Sequence, residues 1–282
     1  MKKIATLITF LIAIAPLAYS QISDLEKNAL VDLYNSTNGA NWNTSWNLDD
    51  NVNTWQGVTI ENNTVTKINL SMNNLNGSLQ SSIENLSSLK ELNLGFNKLT
   101  GTIPTELTSI KSLESVQLFM NQLSGTIPSN IGNLSNLKEL VIFNNSISGN
   151  LPEAIYNLTN LEVLQVSSNR ISGILSSKIE NLINLKTLSL FDNSMFGEIP
   201  TEIGNLKSLT ELSLANNLFE GQIPSEISKL SQLNTLLLSN NRFTGTIDAS
   251  IIALPLLTNI EYKNNPKHID VQTNVMTTSA FE

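Results

Sequence analysis

The sequence predicts a solenoid, one short unit repeated along the chain. Three observations carry this. Asparagine recurs every 24 residues, at Asn73, Asn97, Asn121, Asn145, Asn169, Asn193, Asn217, Asn241 and Asn265. Glycine comes four residues after each of the first eight, from Gly77 and Gly101 to Gly221 and Gly245. Apolar residues hold three fixed places before each asparagine, as in Leu89, Leu92 and Leu94 or Leu209, Leu212 and Leu214. One such unit cannot cover its own apolar edge; stacked units bury it between them.

Each part of the unit has a physical role. Alternating apolar residues make a short strand with one buried face. The asparagine turns inward, where its amide can serve backbone donors and acceptors of adjoining coils and stack into a ladder. The glycine allows a backbone geometry that other residues resist. Isoleucine or leucine follows two places later, as at Ile103, Ile127, Ile199 and Ile223. Proline often comes next, at Pro104, Pro128, Pro152, Pro200 and Pro224, and breaks the ladder. A half-turn such as TEIGNL at 201–206 then leads to the next strand.

Over about residues 65–265 this pattern, L-x-x-L-x-L-x-x-N-x-L-x-G-x-I-P-x-x-[IL]-x-x-L, resembles the plant-type subclass of the leucine-rich repeat family. The resemblance implies an α/β fold. It is a curved, right-handed leucine-rich repeat solenoid with a parallel β-sheet on the concave side and short helical or extended segments on the convex side. Eight units of 24 residues fill 65–256. Residues 21–64 form an N-terminal helical cap, and 257–282 a C-terminal cap repeat and tail.

The flanks carry their own signals. TWQGVTIENNTVTKINL at 54–70 looks like the family's first-repeat cap, in which Cys-x-Trp-x-Gly-Val-x-Cys is usual. Trp55, Gly57 and Val58 match, but Asn53 and Ile60 stand at the cysteine places. The cap is therefore expected to be held by packing of Trp42, Trp46 and Trp55. Upstream, Leu25, Ala29, Leu30 and Leu33 are helix-spaced, with Ser23 or Asp24 to cap the start. At the far end the unit from Leu257 keeps Ile260, Tyr262 and Asn265 and departs at Pro266; a terminal repeat that stops conforming is a cap.

Residues 1–20 read as a secretory signal peptide: Lys2 and Lys3, an apolar run from Ile4 to Leu17, then small residues at Ala18 and Ser20. The run is short for a membrane span, and no later stretch could cross a bilayer. The absence of cysteine excludes a disulfide framework, a thiolate metal site and a cysteine nucleophile. These features suggest a bacterial exported protein, secreted, periplasmic or on the cell surface. The chain carries 16 basic and 24 acidic residues, a net charge of −8, and −10 once Lys2 and Lys3 are removed. That balance opposes nucleic acid and anionic membrane as partners.

Enzymatic signals are weak. The single histidine, His268, lies in the terminal cap, so a Ser-His-Asp arrangement is not expected. Glu91 and Glu139 share a repeat position two units apart, within reach of an inverting glycosidase's spacing, but that position is often charged. LDDN at 48–51 lacks the alternation of a calcium loop and reads as a polar loop. The glycosylation triplets at Asn85, Asn133 and Asn157 recur at one repeat position and read as structural. No cofactor and no metal is expected.

The positions just before each asparagine should point out of the core onto the concave face. There the sequence sets Phe96, Phe119, Met120 and Phe143 on three consecutive strands, with Val141 and Val163 beside them. Phe191 follows two strands beyond Phe143, across a gap at Ser167. Exposed apolar patches of this kind tend to mark binding surfaces; the alternative is sheet-surface pairing that only stabilises. A second stripe, Lys90, Glu114, Lys138, Glu162 and Lys186, alternates in sign and should support adjacent strands.

The expectation is a non-enzymatic, exported recognition module that binds a protein or peptide through Phe96, Phe119, Met120, Val141, Phe143 and Phe191. The resemblance agrees in kind, since plant-type relatives include receptor ectodomains that bind peptides and polygalacturonase-inhibiting proteins that bind an enzyme. With no kinase domain or span following, a complete receptor is not expected. The alternative partner is a polysaccharide, as for a glycan-binding surface adhesin. Weaker alternatives are a carbohydrate-active enzyme using Glu91 and Glu139, and ice binding through Thr100, Ser124, Ser148 and Ser172, an array interrupted at Phe196 and Glu220.

Overall fold

The computed structural model describes residues 22–265 and the backbone of a two-residue strand at 270–271. The leader, His268 and most of the tail lie outside the described residues. Ten strands form one sheet. Val58–Glu61 and Thr64–Asn69 open it as an antiparallel hairpin. Its two-residue turn, Asn62–Asn63, has positive φ at both positions, which asparagine tolerates. Eight three-residue strands then follow in parallel, from Glu91–Asn93 to Asn259–Glu261. Their register advances by one unit at each step, so Lys67 faces Glu91, Leu92 faces Val116 and Val116 faces Leu140.

A second sheet of five short parallel strands runs from Ser148–Asn150 to Arg242–Thr244. Its register differs. Ser172 faces Ser194 and Phe196 faces Leu218, an offset two residues shorter than the repeat. The half-turns close as 3-10 helices, with Pro104, Pro152, Pro200 and Pro224 at their N-caps near φ −66°. That angle is the one proline is built for.

The inward asparagines form the expected ladder. Asn121 Nδ2 faces the carbonyls of Leu94 (3.0 Å), Leu118 (3.0 Å) and Phe119 (3.2 Å), while its Oδ1 accepts the Leu99 N–H at 2.9 Å. Asn145, Asn169, Asn193, Asn217 and Asn241 repeat this pattern. A second ladder runs along the outer side: Asn136, Asn160 and Asn184 each donate to a carbonyl of the preceding coil. The repeated glycines have positive φ; at Gly125 (+75°) an added Cβ would also lie 2.7 Å from Thr102.

The N-terminal cap closes the first coil by packing. Helix α1 (Asp24–Ser36) starts at Ser23, whose side chain accepts the Glu26 N–H in a capping box. Trp42, Trp46 and Trp55 are buried, with Trp46 stacked on Trp55 at 4.8 Å and set edge-on to Trp42 at 4.9 Å. Each indole N–H meets a backbone carbonyl, of Thr37, Gln56 and Asn47 respectively. One expectation is corrected: Leu25 is 64% exposed. The buried stripe of α1 passes instead through Glu26, Ala29, Leu30 and Leu33. Glu26 takes the first-turn place because its carboxylate accepts the Val65 N–H at 2.9 Å, tying helix to sheet.

Candidate functional site

The concave sheet presents four outward columns per coil, two within each strand and two just after it. In the third column Phe119 stacks on Phe143, with ring centroids 4.9 Å apart and planes at 15°. Phe96 meets Phe119 edge-on at 5.2 Å. Phe119 fits because the preceding coil has Gly95 beneath it; a Cβ there would lie 2.6 Å from the ring. Phe96 is exposed, and Phe119, Met120 and Phe143 are half-buried. Val141 is only 8% exposed, so it offers little contact surface. Phe191 is half-buried and stands apart, with no ring stacked on it among the described residues. The gap between is polar: Ser167 Oγ and Ser189 Oγ are hydrogen-bonded at 2.7 Å.

The fourth column has an unusual backbone. The residue before each inward asparagine is left-handed: Met72 (φ 57°), Phe96 (54°), Met120 (52°), Asn144, Ser168, Asp192, Asn216, Asn240 and Asn264. Asparagine and aspartate accept this conformation readily, whereas bulky apolar residues do so at a cost of about 1–2 kcal/mol. Three consecutive coils bear that cost, and two of them hold the aromatic patch.

The charged residues beside the patch are nearly all engaged. Lys138 pairs with Glu114 at 2.7 Å and Lys186 with Glu162 at 2.6 Å, along the alternating stripe. The Lys138 hydrogen bond draws the Glu114 carboxyl below its usual value. Glu91 pairs with Lys67. Glu139 accepts from Ser115 Oγ at 2.9 Å and Gln117 Nε2 at 3.1 Å. Both candidate acids for a glycosidase thus serve neighbouring strands. Glu211, at the same repeat position three units beyond Glu139, differs. It lies between Thr187 and Thr235 in register, accepts no hydrogen bond and pairs with no cation among the described residues. Its half-burial pushes the carboxyl up. Glu211 was not singled out from sequence; following the Glu91–Glu139 column along the chain would have reached it.

The hydroxyl array on the flank is turned inward chemically. Thr100, Ser124, Ser148 and Ser172 each donate to the carbonyl of a glycine in the preceding coil, Gly77, Gly101, Gly125 and Gly149, at 3.1–3.5 Å. Farther along this flank Ile174, just past the strand Arg170–Gly173, is exposed, as are Phe196 and Leu218 on the next two strands. Among the described residues no helix is long and apolar enough to cross a membrane.

The family model described as Leucine Rich Repeat matches residues 88–110, 112–134, 136–158, 160–182, 184–206, 208–230 and 232–254. Among solved structures, the ectodomain of the Arabidopsis thaliana membrane receptor kinase GASSHO1/SCHENGEN3, in complex with CASPARIAN STRIP INTEGRITY FACTOR 2, is 35% identical with a TM-score of 0.79. The match covers 85% of this chain and 30% of that one. The Arabidopsis receptor kinase HAESA, in complex with the peptide hormone IDA and the co-receptor SERK1, is 31% identical with a TM-score of 0.78, over 86% of this chain and 42% of that one. This chain therefore spans less than half the length of either receptor chain. A plant ice-binding protein, 21% identical with a TM-score of 0.71 and 87% of each chain covered, shares the fold. No curated protein matches the chain.

Proposed function

Because the chain belongs to the leucine-rich repeat family, we propose that it is an exported, non-enzymatic recognition module that binds a protein or peptide through its concave face. Residues 21–64 and 257–282 cap eight units at 65–256 in this reading, and the leader-like start at 1–20 directs the chain to a secreted, periplasmic or cell-surface location. The observation that carries the reading is the ring cluster of Phe96, Phe119 and Phe143 beside the strained Met120. Paired surface aromatics of this kind stabilise a sheet, but strain retained next to them points to use rather than packing alone. The complexes of the receptor relatives with CASPARIAN STRIP INTEGRITY FACTOR 2 and with IDA support a peptide or protein as the partner class.

The test is a capture experiment from culture medium and envelope extract. The wild-type protein is compared with a Phe119→Ser/Phe143→Ser double variant of matched thermal stability. A protein or peptide held by wild type and lost by the variant supports the reading. Equal capture by both moves the site elsewhere. Retention on cell-wall polysaccharide in place of any peptide would favour the adhesin alternative.

A further inference from the structure

The outward columns of the concave sheet are electrostatically one-sided. Lys67 stands in the first coil and Lys263 in the last, and the columns otherwise carry only acids: Glu91, Glu139, Asp192, Glu211 and Glu261. Glu91 and Glu139 are satisfied by Lys67 and by Ser115 with Gln117. Glu211 is half-buried and receives nothing from Thr187 or Thr235, its in-register neighbours. A carboxylate that has lost part of its water and gained no partner raises the free energy of the unbound protein. A cation delivered from outside would offset that cost.

We propose that the concave face takes an extended peptide that sets an apolar side chain on the Phe119–Phe143 stack and a lysine or arginine on Glu211. The inference rests on the reading of the aromatic patch as a peptide site and adds the charge and spacing of the peptide. Three strand steps separate the coils of Phe143 and Glu211, about 14 Å at the spacing of a parallel sheet. The two residues also lie four places apart along the strand direction, roughly 13 Å. The straight line is about 19 Å, which an extended chain spans in five or six residues at about 3.3 Å each. The peptide thus crosses the strands obliquely, with its apolar anchor toward the N-terminal coils and its basic residue toward the C-terminal ones. The Ser167–Ser189 hydroxyl pair lies under the middle of this path and offers polar contacts to its backbone. The absence of any cation on these columns between Lys67 and Lys263 disfavours an acidic peptide along the same line.

The experiment selects a displayed library of random dodecapeptides on the purified full chain. The enriched peptides are then measured against Glu211→Gln, Glu211→Lys and Phe119→Ser/Phe143→Ser variants, all checked for equal melting. The expected result is enrichment of Lys or Arg five or six residues from an aromatic or leucine. Glu211→Gln should weaken those peptides about tenfold, as for a half-exposed charge pair. Glu211→Lys, selected afresh, should enrich Asp or Glu at the same spacing. Peptides that depend on Phe119 and Phe143 but bind Glu211→Gln undiminished would overturn this inference and leave the aromatic site standing. Peptides indifferent to the double variant, or failure to enrich any, would overturn both.

Discussion

Met72, Phe96 and Met120 occupy a backbone well that suits asparagine, and the balance of strain against burial differs among them. Met72 is exposed, so its side chain gains little from the fold while its φ of 57° costs what any bulky residue pays there. Met72→Asn should therefore stabilise the protein by about 1 kcal/mol, read as a rise of roughly 2–4 °C in melting temperature. Met120 is half-buried beside Phe119, and losing that burial offsets the relief. Met120→Asn should leave the melting temperature nearly unchanged. A larger rise for Met120→Asn than for Met72→Asn would show that Met120 is held without packing, and would strengthen the case for a role in recognition.

The two asparagine ladders have the same period and unequal weight. Asn169 faces the carbonyls of Ile142, Val166 and Ser167 and accepts the Ile147 N–H, inside the coil. Replacing it by leucine keeps the volume and strands those groups, at about 3 kcal/mol. Asn136 donates once, to Lys111 at 2.9 Å, on an exposed edge where water can substitute; its alanine variant should cost under about 1 kcal/mol. Urea unfolding of the two variants checks the contrast, and equal losses would contradict it. The inner ladder was legible in the sequence because an amide among leucines has to be satisfied. The outer ladder was not, because an exposed asparagine looks like ordinary polar surface. The same limit applies at the site. The period placed Phe119 and Phe143 side by side, but not the burial of Val141, which depends on what its neighbours cover. Leu25 was misread because helical spacing allowed it inside, while Glu26 had a backbone donor waiting at Val65.

Across the whole molecule, each coil meets only its neighbours, so stability is a chain of adjacent interfaces closed at one end by the tryptophan cap. Trp46 touches Trp42, Trp55 and Tyr34, and Trp46→Ala should cost about 3–5 kcal/mol. The loss should be local first. Amide exchange is expected to rise in Thr64–Asn69 and Glu91–Asn93 well before Thr235–Leu237. A uniform rise would instead make opening global. The two sheets also count differently along this chain. Concave strands pair one full unit apart, whereas on the flank Phe196 faces Leu218, two residues short of a unit. Duplicating one whole unit would therefore leave every concave column aligned, with Phe119 and Phe143 at most one coil farther apart. On the flank, a coil inserted between those of Ile174 and Phe196 would carry Ile174's row onto Ser194 and miss Phe196. Growth by duplication is thus silent on one surface and a two-residue slip on the other. The inner face can lengthen while keeping its pattern, and the flank writes a new one each time the gene stutters.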